Sequence, residues 1–455
     1  MESRDEPVDA ESPSRGWTTD TRRAGRDWIE SLAVYLERRL IIVFLFGFAS
    51  GLPLLLTLST LSIWLTEQGV SLTAIGLFAM VGTPYTLKFL WAPMIDRAPI
   101  PGLTAWLGRR RSWLLAIQAC LILAILALGA TRPGQAPFWT ALWALVVAFF
   151  SASQDIVIDA YRIESVREHE QGAAAAMTQF GYRIGMLASG AGALYLAESV
   201  SWFGVYAVMA ALMLVGVATT VASPEPLVGA PTGPPGGGAL ARVREAVIEP
   251  FAEFIRRSGL KVAGLVLAFI LLYKFGDAFA GVMANPFYVK IGFTKAEIAG
   301  VTKIFGLAAT LAGVFLGGVV VTRYGVMPAL LGCGVLQMLS NLMFVVQAMM
   351  GHDVSTLMLT IGLENLTGGM GSAAFVAYLS LLCNVAYTAT QYALFSSFMA
   401  VGRTLLSSTS GWVADHVDWV SFFLISTVLA VPGLLILGWM MRRFPTAGRP
   451  ATLRP

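Results

Sequence analysis

The chain of 455 residues is 56% hydrophobic and only 13% charged, and its mean hydropathy is +0.70. A soluble protein carries about 25% charged residues, so this composition excludes a soluble globular protein. The net charge of +4 comes from arginines and lysines that cluster between apolar runs, as in the loops of membrane proteins. We therefore expect a lipid bilayer as the environment and no nucleic-acid partner.

Apolar runs of about twenty residues recur along the whole chain, which predicts an all-α polytopic membrane protein. We expect about twelve transmembrane helices in two six-helix halves. The predicted helices of the first half lie at about 40–66, 73–94, 113–130, 138–158, 173–197 and 203–222. Those of the second half lie at about 261–284, 297–321, 327–350, 355–383, 392–413 and 420–441.

This pattern divides the chain into five regions. They are an N-terminal tail (1–38), a first half (39–222), a linker (223–260), a second half (261–443) and a C-terminal tail (444–455). The end of the N-terminal tail predicts either a helix on the membrane surface or a charged lead-in to helix 1. The linker begins with a stretch rich in proline and glycine and continues as an amphipathic helix.

Basic residues gather in alternate loops, on the same side as both tails and the linker. Cytoplasmic loops of membrane proteins carry an excess of lysine and arginine. We therefore expect both termini and the linker to be cytoplasmic.

Helix 4 carries two carboxylates at its end, Asp155 and Asp159, with Gln154 beside them. Their spacing of four residues places both on one face of the helix. A charge at mid-bilayer costs about 2.5–3.5 kcal/mol on insertion scales, so such groups are rare and usually functional. The alternative is a capping or gating role near the cytoplasmic surface.

Four more helices carry polar groups inside apolar runs. They are Gln179, Tyr182 and Arg183 on helix 5, Tyr273, Lys274 and Asp277 on helix 7, Glu364 and Asn365 on helix 10, and Arg403 on helix 11. The alternative to a functional role is an internal ion pair that fixes helix packing, above all for Lys274 and Asp277, which are three residues apart.

The loop between helices 2 and 3 is strongly charged. It contains Asp96, Arg97, Arg109 and Arg110. We interpret these residues as a gate and a determinant of topology; the alternative is contact with the substrate.

The sequence indicates a carrier and not an enzyme. The three cysteines fit neither a disulfide framework nor a metal site, and no nucleophile–base pair or phosphate loop is visible. We expect no cofactor and no metal. A channel is the alternative, but two similar halves with buried charges of both signs favour a secondary transporter.

Seven segments along the membrane region resemble one family. They are GFASGLPL at 47–54, PYTLKFLWAP at 84–93, SASQDIVIDA at 151–160, GYRIGML at 181–187, LYKFGDAFA at 272–280, EN with GGMG at 364–371, and ATQYA at 389–393. Together they resemble the AmpG-type muropeptide permeases of the major facilitator superfamily. The chain departs from some relatives in its longer N-terminal tail and in lacking extra C-terminal helices.

The resemblance implies import of GlcNAc-anhydroMurNAc-peptides from the periplasm across the bacterial inner membrane. In that family the proton gradient drives import for peptidoglycan recycling, which feeds β-lactamase induction and hence β-lactam resistance. The eukaryotic acetyl-coenzyme A transporters are distantly similar, so that substrate is the alternative. Nothing in the sequence indicates oligomerisation, and we expect a monomer.

With such a substrate, cations and amides inside the bundle become binding candidates, because muropeptides carry carboxylates, hydroxyls and amides. We expect substrate contacts from Gln154, Gln179, Tyr182, Arg183, Tyr273, Lys274, Asn365, Gln391 and Arg403. Proton coupling requires a buried carboxylate near a cation. The candidates are Asp155, Asp159, Asp277 and Glu364, and the gating candidates remain Asp96, Arg97, Arg109 and Arg110.

Overall fold

The computed structural model describes residues 34–70, 78–167, 170–226, 239–294, 297–298, 300–407 and 409–443. We number the membrane helices α1 to α12 as predicted above. In the first half they are α1a (Arg38–Thr57), α1b (Ser59–Glu67), α2a (Thr83–Leu87), α2b (Ala92–Arg97), α3 (Arg109–Gly129), α4 (Pro137–Ser165), α5a (Gln171–Leu187), α5b (Ala193–Ala197), α6a (Trp202–Leu212) and α6b (Leu214–Ala222).

The linker helix, Ala239–Ser258, joins the halves. The second half contains α7a (Leu260–Leu272), α7b (Phe275–Lys290), α8 (Gly306–Tyr324), α9 (Val326–Met350), α10 (Val354–Leu382), α11 (Thr388–Ser407) and α12 (Trp419–Arg443). Short 3₁₀ turns, π-helical turns and one-turn helices connect some of these elements. Within the described part of the chain all regular structure is helical, which confirms the predicted fold class.

Several helices are interrupted where the sequence predicted continuous ones. Helix 1 breaks at Leu58, one turn beyond Pro53, and not at the proline itself. The described part of helix 2 is a series of short pieces, because Pro84 and Pro93 lack the N–H that a continuous helix requires. Helix 7 breaks at Tyr273 and Lys274 and then extends to Lys290.

Eight described helical segments are long and apolar enough to cross a membrane, which shows a multi-pass membrane protein. They correspond to helices 1, 3, 4, 6, 7, 8, 9 and 12. The remaining four, helices 2, 5, 10 and 11, are either broken by prolines or interrupted by polar side chains. Each of them also takes part in the contact between the halves, together with helices 4 and 8, so the opposite half hides part of their polarity from lipid.

The halves meet at one end of the bundle. This end, which we call the linker end, contains α2b, the last turn of α4, the linker helix and the first turns of α3 and α11. Here Tyr35 packs its ring 4.6 Å from that of Phe315, and Gly172 of α5a lies against Val321 and Gly318 of α8. We call the opposite end of the bundle the far end.

Glycines allow close crossing of helices within each half. A Cβ added to Gly181 would collide with the carbonyl oxygen of Phe44 on α1a, and one added to Gly313 would collide with that of Leu366 on α10. Small residues at these positions therefore let the helix backbones approach closely.

We predict that Gly181→Ala lowers the stability of the folded protein by about 1–3 kcal/mol, because the new methyl group must push α1a and α5a apart. Thermal unfolding of the purified protein in detergent measures this. The matched control is Gly332→Ala on α9, where a new Cβ meets no atom within 4 Å. Equal melting temperatures for both variants would contradict the close crossing.

Candidate substrate cavity and gate

A cavity of about 430 Å³ lies between the halves in the middle of the bundle. Helix α5a of the first half and helices α7 to α11 of the second half form its walls. Its polar lining residues are Gln179, Arg183, Lys274, Asp277, Thr310, Gln337, Glu364, Asn365 and Ser372. Six of these residues were predicted as site residues from the sequence, and the fold brings them into one cavity.

Lys274, Asp277 and Gln337 form a closed triangle on one wall. The ammonium group of Lys274 lies 3.3 Å from a carboxylate oxygen of Asp277 and 2.7 Å from Oε1 of Gln337. The Nε2 of Gln337 donates to the same oxygen of Asp277. The break between α7a and α7b places Lys274 and Asp277 on the cavity side of helix 7, and α9 supplies Gln337.

Glu364 and Asn365 lie side by side on α10 but differ in their surroundings. The amide of Asn365 is fixed, since it accepts from Thr310 at 2.8 Å and donates to the carbonyl oxygen of Ile361 at 3.0 Å. Among the described side chains, Glu364 has no hydrogen-bond or ion-pair partner. No described side chain therefore competes with a proton or a ligand for its carboxylate.

Arg183 projects from α5a and is the contribution of the first half to the charge of the cavity. No described carboxylate lies within ion-pairing distance of it, and its Nε is buried without an acceptor. Gln179 lies one turn earlier on the same helix. The charges described in the cavity therefore balance as two cations, Arg183 and Lys274, against two carboxylates, Asp277 and Glu364.

The linker end is closed by one carboxylate, Asp96 of α2b, which is 1% exposed. It accepts from the backbone N–H groups of Ala389 and Thr390 at 3.2 and 2.7 Å, and from the Thr390 hydroxyl at 2.6 Å. These donors lie in the first turn of α11, where the helix dipole favours a negative charge. A side chain of the first half thus caps a helix of the second.

Arg110 holds Asp96 in place from behind. Its Nη2 lies 2.9 Å from Asp96 and 2.5 Å from Glu164 of α4, and all three side chains are almost fully buried. Arg109 donates to the backbone carbonyl of Asp96 at 2.6 Å, and Arg97 lies over the ring of Tyr387 at 5.7 Å. All four predicted gating residues therefore lie at the linker end, where Asp96 and Arg97 contact the second half.

Comparison with known proteins identifies the family of this chain. The model of the Major Facilitator Superfamily matches residues 265–455, and that of Acetyl-coenzyme A transporter 1 matches residues 39–138. The anhydromuropeptide permease of Escherichia coli strain K12 is 41% identical over 408 residues, which cover 89% of this chain and 80% of that protein. The chain belongs to the AmpG family of permeases.

Solved structures show the same fold at low sequence identity. The human organic anion transporter MFSD10 matches with a TM-score of 0.67 at 17% identity, covering 88% of this chain and 99% of its own. The proton:xylose symporter XylE matches with a TM-score of 0.61 at 14% identity, covering 94% and 98%. The major facilitator fold predicted for this AmpG-family chain is confirmed.

The AmpG-family motif on helix 4 forms a second polar group, between the cavity and the linker end. Asp155 accepts from Ser50 of α1a. Asp159 lies 3.9 Å from Lys88 and 3.4 Å from Arg162, which is 1% exposed. Arg162 also donates to Ser380 of α10 at 2.8 Å, so this group contacts the second half.

Four predicted substrate residues do not line the cavity in this conformation. Gln154 is fully buried and donates to the carbonyl oxygen of Ala49. Tyr273 donates to that of Leu330, and Tyr182 lies elsewhere on α5a. Gln391 binds the linker helix, as described next, and the side chain of Arg403 lies outside the described part of the structure.

Gln391 lies at the linker end, where the linker helix docks. It donates to the Pro250 carbonyl oxygen at 2.9 Å and to the Glu253 carboxylate at 2.7 Å. Glu253 also accepts from Asn384 at 2.9 Å. The linker helix is thereby tied to the turn that precedes α11.

Sequence reasoning missed Gln337 in the cavity and Glu164 in the gate. Gln337 is a polar residue within the apolar run of helix 9, and this pattern in the sequence could have identified it as a site residue. Glu164 lies in a charged loop-like stretch, where only the fold shows that it is buried against Arg110.

We predict that Asp96→Asn opens the linker end, because the amide lacks the charge that binds Arg110 and the first turn of α11. Cys383 is buried at this end, so its accessibility to a thiol reagent reports opening once Cys120 and Cys333 are replaced by serine. Labelling of Cys383 by a water-soluble maleimide should rise at least several-fold. The control is Asp353→Asn, which makes the same change of charge at the N-cap of α10, at the far end of the bundle. Unchanged labelling in Asp96→Asn would contradict the role of this contact.

Proposed function

We propose that this protein is a secondary transporter that imports anhydromuropeptides from the periplasm to the cytoplasm across the bacterial inner membrane. The observation that carries the proposal is the polar cavity formed by both halves in a chain 41% identical to an anhydromuropeptide permease. The cavity is complete within one chain, so we propose a monomer as the working unit.

The proposed binding site is the central cavity. Its volume of about 430 Å³ lies within the usual range of small-molecule sites, about 300–1,000 Å³. We assign the peptide carboxylates of the substrate to Arg183 and Lys274, since charge-assisted hydrogen bonds are the strongest available. Gln179, Gln337 and Asn365 carry amides suited to sugar hydroxyls and peptide groups, and Arg403 remains a candidate on α11.

The proposed mechanism is alternating access. Direct contacts between the halves close the linker end, so a substrate must reach the cavity from the far end in this conformation. The linker end carries the arginines of α2b, α3 and the linker helix, which supports its assignment to the cytoplasm. The structure then corresponds to a state closed toward the cytoplasm, with Asp96 as the gate.

We propose protons as the coupling ions and Glu364 as the first site of protonation. With both carboxylates ionised, the described charges of the cavity cancel, and an anionic substrate gains little from the site. A proton on Glu364 leaves a net positive cavity, which attracts that substrate. Because Glu364 has no described partner to hold it ionised, protonation breaks no ion pair there. Asp277 has two such partners.

The polar group on helix 4 has a proposed role in release of the gate. Asp159 bridges Lys88 and Arg162, and Arg162 reaches the second half. Loss of the Asp159 charge would free Arg162 and weaken this contact. Asp155 and Asp159 are therefore proposed to link protonation to opening of the linker end.

The second candidate substrate is acetyl-coenzyme A, favoured by the match of residues 39–138 to Acetyl-coenzyme A transporter 1. That match covers only the first helices, and the residues of the second half that line the cavity lie outside it. Coenzyme A also carries several phosphate charges, which two cations balanced by two carboxylates do not neutralise.

We predict that proteoliposomes holding the protein take up a labelled anhydromuropeptide and that an inward proton gradient increases the uptake several-fold. Acetyl-coenzyme A is tested in parallel in the same vesicles. Equal uptake of the anhydromuropeptide with and without the proton gradient would exclude protons as the coupling ions. Uptake of acetyl-coenzyme A without uptake of the anhydromuropeptide would identify acetyl-coenzyme A as the substrate.

We predict that Glu364→Gln abolishes gradient-driven uptake while leaving exchange of labelled for unlabelled substrate, because the permanently neutral side chain permits binding but carries no proton. Asp155→Asn tests the helix 4 group in the same way. The control is Glu67→Gln at the far end, where Glu67 contacts only Trp202 among the described residues. Full gradient-driven uptake by Glu364→Gln would exclude it as a coupling residue.

A further inference from the structure

A second cavity, of about 560 Å³, opens at the linker end on the outer surface of the first half. It lies between the first turn of α1a and the last turn of α6b, and α3 forms its floor. Three arginines line it: Arg38, Arg39 and Arg111. No step of the proposed transport cycle uses these residues.

Two of the arginines are anchored to the end of α6b. Arg38 donates to the carbonyl oxygen of Ala222 at 3.0 Å, and Arg111 donates to those of Thr220 and Val221 at 3.0 and 2.8 Å. These are terminal carbonyls of a helix, which carry partial negative charge and favour cations. The anchoring fixes both guanidinium groups beside the cavity instead of leaving them to move in solvent.

The cavity retains excess positive charge and free donors. Its one carboxylate, Glu37, lies 2.8 Å from Arg39, which also contacts Glu170. A guanidinium group has five N–H donors, and the described contacts of Arg38 use one of them. The guanidinium groups of Arg38 and Arg111 therefore have no described carboxylate partner and can still bind an anion, although Glu225 accepts from the backbone N–H of Arg111 at 3.1 Å.

The depth of the site in the membrane points to the kind of anion. Arg38 is the first residue and Ala222 the last residue of their membrane spans, so the cavity lies at the level of lipid headgroups. Below and beside it, Val221 is 57% exposed and Ile41 is 44% exposed. A ligand with an anionic head and an apolar tail matches this arrangement, whereas a soluble anion uses only the arginines.

We propose that this cavity, which we call the arginine cleft, binds the phosphate group of an anionic phospholipid, with the acyl chains lying along α1a and α6b. Arginine is suited to this role because its planar donors match phosphate oxygens. Basic pockets between helices at the cytoplasmic membrane surface commonly bind anionic headgroups. The bound lipid would join the ends of α1a, α3 and α6b within the first half.

The test compares binding of phosphatidylglycerol and phosphatidylcholine with identical acyl chains to the purified full-length protein in detergent, measured by native mass spectrometry. We expect the wild type to retain phosphatidylglycerol preferentially. Arg38→Gln should weaken that retention about fivefold, and Arg38→Glu more strongly, since each cation near the headgroup adds a comparable factor. Arg38→Lys should keep most of the preference.

The matched control is Arg443→Gln, an exposed arginine at the end of α12 that lies outside the cleft. Loss of retention in Arg38→Gln but not in Arg443→Gln supports a specific site. Equal retention of both lipids by the wild type, or equal effects of the two substitutions, overturns the proposal. Displacement of phosphatidylglycerol by millimolar inorganic phosphate would show a site for free anions and would also overturn it.

Discussion

The closed linker end depends on one buried carboxylate. Asp96 binds Arg110 within its own half and three donors in the first turn of α11 in the other. A buried carboxylate is stable only when its charge and its hydrogen-bonding capacity are both satisfied, and each half supplies a part of what Asp96 needs. Separation of the halves therefore leaves an incompletely paired charge until water reaches it. This makes the contact strong while closed and reversible once solvated.

The same constraint orders the rest of the polar groups. Among the described side chains of the membrane region, charges occur where two or more helices share them, as in the triangle of Lys274, Asp277 and Gln337. The exceptions, Glu364 and Arg183, face the cavity. Because the protein leaves these two without described partners at a depth where charges are costly, they are the groups whose free energy a proton or a substrate can change most.

The fold could be predicted from apolar runs, linker composition and charge, since length and hydropathy determine which segments span a bilayer. The breaks at Leu58 and Tyr273 could not, because both residues continue a helix readily and tertiary packing sets where the chain bends there. Six cavity residues were recognisable as polar groups in apolar surroundings. Gln391 is also a polar residue in apolar surroundings, but its amide binds the linker helix. Only the fold distinguishes a glutamine that faces the cavity from one that holds the linker helix.

The gate and the cavity are bordered by the same helices, so movement of one helix can couple them without a continuous network of contacting side chains. Helix α11 borders the cavity through Met399 and is capped by Asp96 at its first turn, while α10 carries both Glu364 and Ser380, the partner of Arg162. A change in charge that shifts α10 or α11 as a rigid body alters the cavity wall and the contact between the halves together. Coupling of this kind requires that one protonation state favour the closed linker end and the other the open one. Helix α10 carries Glu364 at the cavity and Ser380, the partner of Arg162, nearer the linker end, so a shift of this one helix changes both regions together.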